Sequence, residues 1–134
     1  MKKVLKILLI AAASAILIFA VFILSVCLFF MNRMKSEVDA FDKTSVDVKE
    51  VADGVYEGHS ETTLVKVDVK VTVSDGEITD LVILKHDCGR GKPAEDMIPN
   101  MIEKNDVEVD AVSGATYSSE VIKDAVRNAL RNGL

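Results

Sequence analysis

Across residues 65–73 every second position is a valine, and Lys66, Asp68, Lys70 and Thr72 fill the positions between. A period of two puts all five valines on one face of a strand and the polar side chains on the other. Asp75-Gly76 then supplies a tight turn, and residues 78–86 return as the partner strand of a hairpin. Upstream, residues 53–58 (DGVYEG) read as a turn, a short strand and a second turn. Downstream the apolar spacing changes to that of a helix. Ala94, Met97, Ile98, Met101 and Ile102 form one stripe, which Pro99 kinks or restarts. Val121, Ile122, Ala125, Val126, Ala129 and Leu130 line a final helix, with Arg127 and Arg131 toward its negative end and Gly133 just beyond. A short strand is expected between the two helices. This order predicts an α+β fold in which an antiparallel hairpin sheet packs with two or three helices.

The N-terminal pattern has no period at all. Residues 7–31 are 25 consecutive positions without a charge, Asn, Gln, Gly or Pro. As a helix they reach roughly 37 Å, enough to cross a hydrocarbon core of about 30 Å. A cleaved signal peptide competes with this reading, because Lys2, Lys3 and Lys6 make a basic start. Its apolar region should run only about 7–15 residues, however, and this one continues through CLFFM. The chain therefore divides into a basic segment (1–6), one transmembrane anchor (7–31), a polar acidic stalk (32–52) and an outer domain (53–134). Three lysines and the terminal amine precede the span, while Arg33 and Lys35 follow it. The positive-inside bias then favours a cytoplasmic N-terminus in the cell membrane, with the C-terminal domain outside.

Beyond residue 35 lie all 21 acidic residues but only 11 of the 16 basic ones, a formal charge of −10. Such a surface repels nucleic acid and anionic lipid. Cys27 falls within the span and Cys88 stands alone outside it, so no intramolecular disulfide framework is available. The outer aromatics are Tyr56, Tyr117 and the stalk's Phe41, which leaves an aliphatic core.

Candidate chemistry concentrates in two short stretches. Residues 110–119 (DAVSGATYSS) place Ser113, Thr116, Ser118 and Ser119 around Gly114 and Ala115, directly before the final helix. Glycine allows close approach to the backbone, and a helix start favours an anion. The alternative is structural: Thr116 or Ser118 caps the helix and Asp110 makes a turn. The second stretch is the glycine loop at residues 87–93, where Gly89 and Gly91 allow a ligand near the backbone. His86 precedes it and Cys88 lies within it, each open to either a cofactor contact or an incidental role.

Residues 109–130 (VDAVSGATYSSEVIKDAVRNAL) resemble the C-terminal signature of the FMN-binding domain family, found in the flavin subunits of Rnf and Na⁺-translocating NADH:quinone oxidoreductase complexes and in anchored bacterial flavoproteins. The signature is an Asp, two variable positions, Ser or Thr, and Gly-Ala-Thr, here Asp110, Ser113, Gly114, Ala115 and Thr116. Residues 53–58, the hairpin and GRGKPAE at residues 89–95 are similar to the family's other segments, so the likeness covers 53–134. It implies FMN joined by phosphoester to Thr116 by a separate flavin transferase that uses FAD. It also implies cofactor contacts from Asp110, Ser113, Gly114, Ala115, Tyr117, Ser118, Ser119, Gly89 and Gly91.

On this reading the protein relays electrons with membrane redox partners or other flavin domains. The sequence carries no dinucleotide fingerprint, second redox centre or metal-ligand cluster, which favours a relay over a self-contained enzyme. Two other readings stand beside it: a noncovalent FMN-binding sensor, and a flavin-free adhesion or peptide-binding module.

Overall fold

A computed structural model describes residues 1–89 and 91–134. The chain divides into two compact units, 1–33 and 34–134. The first helix, α1 (Lys2–Asp39), is long and apolar enough to be a single membrane span. Its apolar side chains, Leu9, Ile16 and Phe22 among them, are exposed, and packing against protein does not explain them.

In the second unit three strands, β1 (Gly54–Glu61), β2 (Lys66–Ser74) and β3 (Glu77–Asp87), form an antiparallel sheet in the order β1-β2-β3. The alternation of β2 is realised as expected: Val67, Val69, Val71 and Val73 are fully buried while the residues between them are not. Asp75 and Gly76 both take positive φ, 54° and 72°, as a two-residue type I′ hairpin requires. Asn105 fixes this turn from outside by donating to the Gly76 carbonyl at 2.9 Å and accepting from the Ile78 amide at 2.8 Å.

The glycine loop leads into a short 3-10 helix (Lys92–Met97) and α2 (Ile98–Lys104), with Pro99 in the first turn of α2. There Pro sacrifices no helical hydrogen bond, so the expected restart occurs. α3 (Thr116–Arg131) covers β1 and β2 and buries Val121, Ile122, Ala125, Val126, Ala129 and Leu130 in one core with the β2 valines.

The structure differs from expectation in three places. β1 does not end at Gly58 but passes through it to Glu61. A Cβ at Gly58 would lie 2.0 Å from the Ala125 carbonyl oxygen, so this glycine marks where α3 presses on the strand. The short strand expected between α2 and α3 is not formed. Val107 and Val109 are buried in alternation, but among the described residues no strand pairs with them. Residues 34–52 do not run free of the domain as a stalk: Val38, Val48 and Val51 belong to its core. Arg127 lies toward the C-terminal end of α3, as expected. It is buried and reaches Glu108, with Nη2 2.7 Å from Oε1.

Candidate functional site

Two turns define the site. In the first, the Ala115 amide donates to the Val112 carbonyl at 3.0 Å, and Gly114 has φ +80°, the value expected of the third residue in a type II turn. In the second, the Gly91 amide donates to the Cys88 carbonyl at 2.7 Å. A Cβ at Gly91 would fall 1.8 Å from the Ser118 hydroxyl oxygen. The absence of a side chain is therefore what lets this loop lie against the start of α3. Around Gly89 and Gly114, in contrast, nothing lies within 4 Å of where a Cβ would be.

Between the turns is a cleft of about 340 Å³, within the range of roughly 300–1,000 Å³ usual for small-molecule sites. Gly89, Gly91, Gly114, Ala115, Thr116, Tyr117 and Ser118 all line it, so two stretches about 25 residues apart in sequence meet in one place. Cys88 lines it too. The remaining wall is apolar, from Met34, Leu64 and Val65. Sequence reasoning missed these three, since each is an ordinary apolar residue in a segment read for other reasons.

The hydroxyls divide by burial. Ser113 and Thr116 are exposed, whereas Ser118 and Ser119 are buried. Ser119 Oγ accepts from the Val112 amide at 3.0 Å and donates to the Ala115 carbonyl at 2.8 Å, which binds the turn to the helix. Neither Thr116 nor Ser118 caps α3: its cap residue is Ala115, and no side chain bonds there. The first amides of the helix thus keep their donor capacity. Asp110 is exposed, and Asp110, Ser113 and Ser119 do not line the cleft.

His86 serves a different contact. Its ring is almost wholly buried, and Nδ1 lies 2.8 Å from Glu95 Oε1, which also accepts from Lys92 at 2.8 Å. Partial burial would raise the Glu95 pKa, but the bonds from Lys92 and His86 outweigh it and hold the carboxyl below its ordinary value. His86 Nε2 has no partner among the described residues, and His86 does not line the cleft.

An apolar cleft that ends at an uncapped helix start suits a ligand with one flat apolar end and one anionic end. The chain belongs to the FMN-binding domain family, which matches residues 65–131, and FMN is its cofactor. It is 38% identical over 65 residues to the NADH:acrylate oxidoreductase of Vibrio harveyi, an alignment covering 46% of this chain and 6% of that protein. The chain thus spans only a small part of that relative's length. Both likenesses agree with flavin binding and electron transfer, and the flavin-free adhesion reading is set aside. The residues present fit FMN, with apolar walls and open glycine positions for the ring, and free helix amides and hydroxyls for the phosphate.

Proposed function

We propose that the protein is a membrane-anchored, extracytoplasmic flavoprotein that carries FMN covalently on Thr116 and relays electrons. The observation that carries this reading is the placement of Thr116. It is an exposed hydroxyl on the first residue of an uncapped helix, and it opens on the same cleft as both glycine turns. A modifying enzyme can reach it, and the helix amides are available to a phosphate. The burial of Ser118 and Ser119 and the position of Ser113 off the cleft support Thr116 as the acceptor.

Attachment needs a flavin transferase with FAD as donor. Thr116 Oγ bonds to the phosphorus on the flavin side of the pyrophosphate, the P–O bond to the adenylate breaks, and AMP leaves. The hydroxyl proton passes to the transferase, because an ordinary threonine hydroxyl is a weak nucleophile. Once bound, FMN supplies the redox chemistry, and this chain binds and orients it. The name of the Vibrio harveyi relative pairs a nicotinamide donor with a small organic acceptor. By that likeness, the flavin here passes electrons between partners that other proteins supply, a membrane redox partner or another flavin domain. Lys2, Lys3 and Lys6 before the apolar run, against Arg33 and Lys35 after it, support a cytoplasmic N-terminus.

The test is the intact mass of the full chain in detergent after coexpression with a flavin transferase. The expected gain is one FMN less one water, and Thr116→Val should abolish it while leaving the fold unchanged. Colour that is lost on denaturation, with no gain in mass, would favour the noncovalent sensor. A mass gain that persists in Thr116→Val would move the acceptor elsewhere.

A further inference from the structure

Thr116 opens on a second hollow besides the apolar cleft. This one, about 500 Å³, is lined by Lys35, Val38, Asp39, Lys43, Thr116, Tyr117 and Glu120, all within the 34–134 unit. Four of the seven are charged, whereas among the described residues the lining of the apolar cleft includes no charged side chain. A flavin esterified to Thr116 has the same division. Its ring is flat and largely apolar, and its phosphodiester keeps one negative charge at any physiological pH.

The charges of this hollow are not equivalent. Lys43 Nζ lies 3.6 Å from Asp39, and Lys123 Nζ lies 3.3 Å from Glu120, so both carboxylates are already paired. Lys35 is exposed and forms no ion pair among the described residues. It sits in the C-terminal part of α1, and the uncapped start of α3 contributes Thr116 and Tyr117 to the same hollow.

We propose that Lys35 is a positioning residue for the cofactor: its ammonium is the counter-charge of the FMN phosphodiester on Thr116, which directs the ring to the opposite, apolar side. This rests on attachment at Thr116 and assigns α1 a part in the flavin site beyond anchoring. A Lys ammonium suits the task because it is a compact charge on a flexible stem and needs no fixed fork geometry. The pair is solvent-exposed, so its strength is that of a surface ion pair and depends on salt.

The experiment uses the full chain in detergent with an FAD-dependent transferase, and follows loading by intact mass and the attached phosphodiester by its ³¹P resonance. Lys35→Gln should load roughly two- to fivefold more slowly at low salt, with the gap closing at high salt. Its ³¹P resonance should shift relative to wild type. Lys35→Arg should restore both readouts, and Lys104→Gln, a lysine on α2 outside both hollows, should change neither. An unchanged ³¹P resonance in Lys35→Gln overturns the proposal; if loading is nevertheless slow, Lys35 acts on the transferase instead. A wild-type chain that gains no mass refutes attachment at Thr116 itself, and the role of Lys35 falls with it.

Discussion

The first turn of α3 and the turns that follow it make opposite use of their polar groups. Beyond Ser119 nearly every polar side chain is engaged in holding the fold. Asp124 accepts from buried Ser60 at 2.7 Å and from Asn128 at 3.2 Å, and Asn128 also donates to the His59 carbonyl at 3.0 Å. Arg127 holds Glu108, and Arg131 donates to the Asp42 and Thr44 carbonyls at 2.9 and 3.2 Å. In the first turn no side chain caps the helix and Thr116 is exposed. An uncapped helix start forgoes on the order of 1 kcal/mol. The body of the helix carries the stability that makes this tolerable, and hydrogen-bonding capacity left over at a helix start is capacity a ligand can use.

The contrast can be broken at several points. The largest effect should come from Gly58→Ala. Its methyl would meet the Ala125 carbonyl oxygen at 2.0 Å and the Ala129 nitrogen at 2.6 Å, both backbone atoms, so β1 and α3 must separate. A loss of about 3 kcal/mol is expected, the upper end of overpacking costs, measured as a lower denaturation midpoint in urea. A smaller loss belongs to Ser119→Ala, which removes the acceptor of the Val112 amide and the donor to the Ala115 carbonyl. It should cost about 1–2 kcal/mol, whereas Thr116→Val, one turn away, should leave the midpoint unchanged. Equal losses from the two would mean that the Thr116 hydroxyl supports the fold as much as the buried Ser119 hydroxyl does.

The smallest effect concerns acid. Glu95 is held below its ordinary pKa by Lys92 and His86. Its stabilising contribution is therefore complete above the unfolded glutamate value of about 4.3 and is lost as pH falls through the lower folded value. Thermal unfolding between pH 6 and pH 3 should fall less steeply for Glu95→Gln than for wild type. Matching slopes would mean that the bonds from His86 and Lys92 contribute nothing to the folded state.

What could be read from the sequence followed from how local each cause is. The β2 valines, the Asp75-Gly76 turn and the stripe of α3 are patterns within one element, and each appeared as expected. Gly89, Gly91, Gly114 and Thr116 came together because their motifs mark chain geometry as well as composition. Gly58 was misread because a glycine in a strand looks like punctuation, and the reason for it lies on α3, some 70 residues away. Val107 and Val109 alternate as a strand would, but alternation records burial and not a pairing partner. The division of the hydroxyls between exposed and buried depends on which face of α3 meets the sheet. Met34, Leu64 and Val65 differ in no local way from other apolar residues. Residues 34–52 looked like a stalk because their buried valines, Val38, Val48 and Val51, follow no period.

Tyr117 has an optical consequence. The chain contains no tryptophan, and Tyr117 is the one aromatic side chain among the described residues lining either hollow at Thr116. An excited flavin loses its emission by taking an electron from a nearby electron-rich aromatic ring, and phenylalanine does not serve as that donor. A flavin held on Thr116 therefore has one aromatic quencher among the described residues of the site, on the residue next to its own attachment point. The brightness and lifetime of its fluorescence become a short-range ruler between the ring and Tyr117, free of the competing tryptophan signals that complicate such readings in most flavoproteins.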